Sequence, residues 1–534
     1  MTTIRIGAKR IETPQLLIPA GIFLLALVAR TLPGPRTIDD SYITYRYVRN
    51  ILAGAGFVYN PGERVMGTTT PLYTGLLTAL SLFGGGTQAP FPQISLLVNA
   101  LADGATCLLL LYLGRRLGFR FAGLGAALAW AVAPFSVTFA IGGLETSVCV
   151  LLLVGTATAH IANRPRLAAL LAALAFLTRP DALILIAPLA LDRLWSWWSD
   201  FRRGALNVRR IIEEGLAFGA PVIAWLGFAT LYFGSPIAHS VAAKTVAYRL
   251  APESGFVRLL QHYTTPFLEH LTFGTRWIAV GMALYPFLYI VGSWRALKIQ
   301  PRALPLALYP WLYFAVFALA NPLIFRWYMT PPLPAYYLFI LGGAETLLFS
   351  LFAGLKARGW RANERLPRLA ALVLIVLAPT LLLLRDWRLH PDHGLDRPAP
   401  EMAWYKLELL YRQAAEEVTS TMADRSGALP SLAAGDVGVL GFYTGMRIVD
   451  TVGLNSPQST RFYPLDPACY VINYAIPPEL ILEAQPDVIV ILEVYGRNCL
   501  LPDLAFQAQY RLRETIPTDI YGSAGMLIFD RVQP

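Results

Sequence analysis

Apolar positions fall into long, nearly unbroken runs over the first three quarters of the chain. Eleven of them cover roughly 15–33, 92–113, 121–139, 146–162, 167–178, 181–198, 211–233, 271–293, 303–320, 329–351 and 367–385. Each predicts a bilayer-crossing helix, for which about 20 apolar residues are needed. A further run, 71–84, is shorter, and charge decides its place. If it lies in the outer interface, basic clusters such as Arg115/Arg116/Arg120, Arg202/Arg203/Arg209/Arg210 and Lys356/Arg358 all fall on the side of Arg5/Lys9/Arg10. Basic residues gather in cytoplasmic loops, so the expected topology has eleven crossings, an internal N-terminus and an external C-terminus. The run 15–33 lacks a small-residue cleavage pattern and reads as an uncleaved anchor.

After Leu384 the pattern changes to short apolar stretches separated by turns, among them "SLAAGDVGVLGFYTG", "RIVDTVGL", "PDVIVILEV" and "GMLIFDRV". These read as strands with short helices between them, a small α/β domain. The division expected is 1–385 for a polytopic α-helical membrane domain, with a first outer loop at 34–91, and 386–534 for an extracytoplasmic α/β domain. "GDVGVLG" lacks the spacing and the Lys-Ser/Thr of a nucleotide loop.

Composition agrees with the pattern: 534 residues, 55% hydrophobic and 15% charged. The net charge of +10 is explained by loop arginines and lysines, not by nucleic acid. Cys107 and Cys149 lie in apolar runs. Cys469 and Cys499 fall together in the outer domain, where an oxidising compartment permits pairing, and a disulfide is expected.

The expected topology places the unusual polar residues on the outer face, foremost those of "TIDDSYITYRYVRNILAGAGFVYNPGERVMGTTTPLY". Asp40 is the better placed of the two acids to cap the following helix. Asp39 is then free to accept a proton from an attacking hydroxyl, kept ionised by the helix N-terminus. Tyr42, Tyr45, Arg46, Tyr47 and Arg49 predict an aromatic, cationic amphipathic helix, and the turn after it carries Asn60, Glu63 and Arg64. This surface suits a sugar; an interfacial helix with tyrosines at headgroup depth is an equal alternative. Asp103 and Glu345 lie inside spans, where charge marks functional candidates; Asp103 is expected to face the bundle interior and Glu345 to pair locally. The "HPDH" at His390–His393 resembles a metal pair but sits in a proline-containing loop at a span exit. No Walker, kinase, Ser-hydrolase or HExxH pattern occurs.

The first loop resembles that of the GT-C glycosyltransferases that use polyprenyl-phosphate sugars, nearest to the bacterial arabinofuranosyltransferase-like branch. Asp39, Asp40, Tyr42, Ile43, Arg46, Tyr47, Gly54, Gly56, Val58, Asn60, Gly62, Glu63, Val65, Gly67 and Thr69 match in order and without gaps. "GLET" (Gly143–Thr146), "TRPDA" (Thr178–Ala182) and Lys244 look like further landmarks; Met66 departs where the family usually has Glu. The resemblance implies inverting transfer on the outer face of the plasma membrane. A sugar would pass from a polyprenyl-phosphate donor to a hydroxyl of a glycan, lipid or protein acceptor. The leaving phosphate needs preorganised positive charge, for which Lys244, Arg326, Arg179 and His239 are the outer candidates. Glu145 and Asp181 are placed to hold acceptor hydroxyls or orient a cation, and an Arg179–Asp181 salt bridge is the simpler reading. No cofactor is assigned, and a divalent metal is left open. The competing class is a lipid or solute transporter, against which the absence of an inverted repeat counts. Within the enzyme class, the competitor is a protein O-mannosyltransferase-like acceptor preference.

Overall fold

The computed structural model describes residues 3–6, 9–267, 276–360, 363, 365–389, 398–403, 406–422 and 430–532. Each of the eleven apolar runs is helical there. Six helices are long and apolar enough to cross a membrane: Phe91–Arg116, Val208–Phe233, Arg276–Ile299, Pro301–Ala320, Leu333–Ala357 and Arg365–Leu384. Phe121–Val132 and Pro134–Ile141 form a seventh, bent by 42°. Leu17–Thr31, Thr146–Ile161 and Pro165–Thr178 are shorter apolar helices. Leu183–Arg202 is apolar only in its first half, ahead of Asp192 and Arg193. The chain is a multi-pass membrane protein, with six or seven spans evident from length and composition against the eleven expected. The helix at 71–84 is Pro71–Phe83, 13 residues. At about 1.5 Å per residue this falls short of the ~30 Å hydrocarbon core.

The bend has a chemical cause. Pro134 has no N–H to offer and ends the helix before it. The carbonyls of the last turn are taken up by side chains: Arg30 donates to Ala131 O at 2.6 Å and Trp130 O at 3.4 Å, and Trp387 Nε1 to Val132 O at 2.9 Å. Arg30 is wholly buried and ion-paired with Asp103 at 2.8 Å; Asp103 also accepts from Trp130 Nε1 at 3.1 Å and Ser147 Oγ at 2.8 Å. The intramembrane acid thus faces the interior as expected, inside a closed structural network. Glu345 accepts the backbone N–H groups of Arg120, Phe121 and Ala122 at 2.7–3.0 Å, capping the helix Phe121–Val132.

The C-terminal part is an α/β unit around a five-stranded sheet. Its order is Arg447–Asp450, Ser431–Ala434, Val488–Leu492, Met526–Arg531, Tyr510–Ile516. The first three strands are parallel and the last two pair antiparallel. Val488–Leu492 is buried along its whole length, as a strand covered on both faces must be. Cys469 and Cys499 are joined in a disulfide, with Cα atoms 5.2 Å apart. The His390–His393 stretch lies outside the described residues.

Candidate active site

The first loop folds into the helix Asp39–Leu52, entered from Ile38 without any side-chain cap. Both aspartates occupy its first turn, so Asp40 is not the cap that the sequence suggested. Asp39 is 8% exposed, and its carboxylate accepts N–H groups of another helix: Gly438 at 2.9 Å and Val439 at 2.7 Å. It therefore satisfies the free N-terminus of Gly438–Thr444 in the C-terminal domain. Burial, then the charge of Asp436, pushes the Asp39 carboxyl well above the usual carboxylate range, against the pull of these N–H groups. Both Asp39 carboxylate oxygens are thus engaged by a second helix, not by its own, although Asp39 also reaches the cavity that the two parts of the chain enclose.

The rest of the helix is clamped in the same way. Arg46 donates to Gly441 O at 2.6 Å, Met446 O at 2.7 Å, Tyr59 O at 2.7 Å and Asn60 Oδ1 at 3.1 Å. Asn60 pairs with the Ile448 backbone like a strand neighbour, donating to its carbonyl at 2.9 Å and accepting its N–H at 3.0 Å. Tyr42 Oη donates to Glu408 at 2.8 Å, and Arg447 to Glu63 at 2.7 Å. Glycine is required where the two parts touch: a Cβ on Gly438 would strike the Asp39 carbonyl oxygen, and one on Gly441 the Tyr59 hydroxyl. That close approach explains the "GDVGVLG" glycines without a nucleotide. Tyr42, Arg46, Asn60 and Glu63, expected at a sugar, hold the C-terminal domain instead and do not line the cavities beneath it. Met66, with Ala229 and Ala238, belongs to a small apolar cluster.

Two cavities meet under this clamp. One, of about 290 Å³, is walled by both parts of the chain, including Asp40, Lys244, Arg326, Glu408, Asp436 and Tyr495. The other, of about 240 Å³, lies on the membrane-domain side and includes Thr68, Thr69, Thr70, Glu145, Arg179 and Ser240. Asp40 and Lys244 line both. A third cavity of about 460 Å³ opens from Lys244 past Val241, Leu250, Phe317, Ala320 and Leu323, a largely apolar surface.

The cations differ in availability. Arg179 is buried and held bidentately by Asp181 at 2.7 and 3.0 Å, with Glu145 at 3.5 Å, so the simpler salt-bridge reading holds and two acids offset its charge. Lys244 comes from the short helix His239–Ala247 and lies over the Phe325 and Tyr328 rings at 5.4 and 5.9 Å. Burial alone depresses its ammonium pKa; Tyr328 and Asp40 outweigh burial, the net shift is upward, and Lys244 stays charged. In turn Lys244 partly offsets the burial that raises Asp40. Arg326 lines the first cavity, whereas His239 lines none of these three and binds Met66 O through its backbone N–H at 2.9 Å. Among the described residues no three His, Cys, Asp or Glu side chains gather as a metal site.

Sequence reasoning missed Asp436 and Glu408, both from the C-terminal domain. Burial raises Asp436 to about 6, with Asp40 adding to the rise and the Tyr411 hydrogen bond opposing it; burial raises Glu408 to about 7. For Asp436 the available signal was an acid two residues past a short apolar strand, "SLAAGD", where α/β sheets present side chains to ligands.

Comparison with known proteins fits this architecture. Residues 404–529 match a family model described as a domain of unknown function, DUF8728. The terminal β-(1→2)-arabinofuranosyltransferase of Mycobacterium tuberculosis is 32% identical over 227 residues, covering 39% of this chain and 35% of that protein. The match thus spans about a third of the relative's length. The oligosaccharyltransferase AglB from Archaeoglobus fulgidus, solved with an inhibitory peptide and a dolichol-phosphate, superposes with a TM-score of 0.53 at 14% identity, covering 98% of this chain and 74% of that one. ArnT from Cupriavidus metallidurans, bound to undecaprenyl phosphate, gives 0.50 at 14% identity over 97% and 98% of the two chains. The chain has the fold of the GT-C glycosyltransferases.

Proposed function

We propose that the chain is an inverting glycosyltransferase that moves a sugar from a polyprenyl-phosphate donor to an acceptor hydroxyl at the outer face of the membrane. The observation that carries this reading is the junction of two cavities at one carboxylate and one ammonium, Asp40 and Lys244. The acceptor hydroxyl gives its proton to Asp40 while its oxygen attacks the anomeric carbon. The bond from that carbon to the phosphate oxygen breaks, and its electron pair leaves on polyprenyl phosphate. Lys244 meets the charge that develops there, assisted by hydroxyls of Thr68, Thr69 and Ser240. Arg179, Glu145 and Asp181 form the floor, and the apolar cavity beyond Lys244 suits the lipid chain.

Asp40 takes the role of base here in preference to Asp39, whose oxygens are occupied by Gly438 and Val439. The first loop and the C-terminal domain are in contact and share one side of the membrane; the basic clusters favour the outside for both. The fold favours a transferase over a transporter, and the arabinofuranosyltransferase likeness makes an arabinofuranosyl donor the first to try. In the deciding experiment the purified protein is incubated with polyprenyl-phospho-arabinofuranose and a glycan acceptor. Release of polyprenyl phosphate that Asp40→Asn abolishes and Asp39→Asn leaves measurable is expected. Undiminished release by Asp40→Asn would rule out this mechanism.

A further inference from the structure

The C-terminal domain carries a crevice of its own. Ser431–Ala434 lies between two parallel neighbours, Arg447–Asp450 on one side and Val488–Leu492 on the other. The chain leaves Ser431–Ala434 through the helix Gly438–Thr444 to reach one neighbour, and later crosses through Pro478–Ala484 to the other. The strand order therefore reverses at the carboxyl end of Ser431–Ala434, the place where open α/β sheets bind ligands. All three parallel strands send residues from their carboxyl ends into the cavity walled by both parts of the chain: Asp436 after the first, Val452 and Leu454 after the second, Tyr495 after the third. The crevice is thus aimed at Asp40.

Its chemistry is specific. Asp436 is bound by the Tyr411 hydroxyl. Glu408 accepts from Tyr42 on Oε1, while its buried Oε2 has no hydrogen-bond partner among the described residues. Facing these acids is an aromatic wall: Tyr474 packs edge-on to Tyr495 at 5.0 Å and to Tyr248 at 6.0 Å. Tyr521, 45% exposed, lines the same cavity. Carboxylate acceptors beside tyrosine faces match a molecule that offers hydroxyl donors and flat C–H surfaces. The cations that line this cavity, Lys244, Arg258 and Arg326, all come from the membrane domain, so the wall that the C-terminal domain supplies carries Glu408 and Asp436 alone and suits an uncharged group.

We propose that the C-terminal domain is the acceptor-reading half of the site, and that it takes a neutral glycan end. Asp436 and Glu408 hold hydroxyls that do not react, the tyrosines stack on the ring, and the reacting hydroxyl is delivered to Asp40. This assignment rests on the transferase reading for its purpose, but the binding itself is testable without turnover.

Saturation-transfer NMR on the detergent-solubilised full chain, with neutral arabino- and manno-oligosaccharides and a uronic-acid oligosaccharide, is the direct test. Signal from a neutral probe is expected, weakened about tenfold or more in Asp436→Asn and Glu408→Gln, as for a lost charged hydrogen bond. Tyr521→Ala, at an exposed position, is expected to weaken it too and guards against misfolding of the buried variants. Equal binding of the uronic-acid probe, no binding of any neutral probe, or unchanged binding in all three variants would overturn the proposal. In turnover assays the same variants should raise the acceptor KM and leave the donor KM alone. Glycan binding without any polyprenyl phosphate release would strike the transferase reading and leave this one standing.

Discussion

Asp39 Oδ1 accepts the backbone N–H of Val439 at 2.7 Å, joining the first loop to a helix 400 residues further on. Both acids line the cavity walled by the two parts of the chain, and Asp40 lines the second cavity as well. One aspartate fastens the two parts together, and the proposed mechanism gives the other the role of base.

Asp40→Asn should cut transfer by about 10²–10⁴, the usual cost of a lost general base, without lowering the unfolding temperature. Asp39→Ala should instead destabilise the protein, because it strips two buried N–H groups of their acceptor. Kinetics and thermal unfolding on both variants separate the roles; the opposite pattern would exchange them.

Lys244→Ala should raise the donor KM and lower kcat, since its ammonium meets phosphate in bound donor and leaving group alike. Steady-state kinetics with a fixed acceptor concentration measure both. Unchanged donor kinetics would move the phosphate site away from this residue.

Gly438→Ala should loosen the domain contact, because the new methyl group meets the Asp39 backbone and neither strand of chain can yield. A cost of about 1–3 kcal/mol is expected for such overpacking. Limited proteolysis in the 386–430 region should speed up; equal protection would contradict the docking geometry.

Asp103→Leu should cost about 3–5 kcal/mol, leaving Arg30 buried without its counter-ion. Adding Arg30→Met should recover part of that loss, but not all, because Arg30 also serves the Ala131 carbonyl. Thermal unfolding of the single and double variants gives the comparison.

Acid–base linkage gives a signature at the domain contact. Burial raises Glu408 to about 7 and Asp436 to about 6 in the folded protein. Unfolded acids titrate near ~4, so the folded state holds more protons between these values. The stability these groups contribute is complete below ~4 and is lost as pH rises through about 6 and 7. Thermal unfolding across that window should show the decline, and Glu408→Gln should flatten it.

The membrane helices and the Asp39–Asp40 loop were legible because each is written locally, as an apolar run or a contiguous motif. Lys244 was legible as a cation in a polar loop. The roles of Tyr42, Arg46, Asn60 and Glu63 were not, because their partners Glu408, Gly441, Ile448 and Arg447 lie more than 360 residues away. Local sequence fixes neither that pairing nor which aspartate it consumes. Arg30 as the partner of Asp103 escaped notice for the same reason. Among the described residues six or seven of the eleven runs are helices long and apolar enough to span a membrane, and the others form shorter or part-polar helices.

Translation runs from the first loop toward the last strand, so Asp39 and Arg46 are made long before Val439 and Gly441 exist. Until residues 438–446 emerge, Arg46 and Asp39 lack the backbone partners that hold them in the folded chain. The fold of the segment 438–446 therefore decides whether the loop helix, made some 400 residues earlier, is ever held in place.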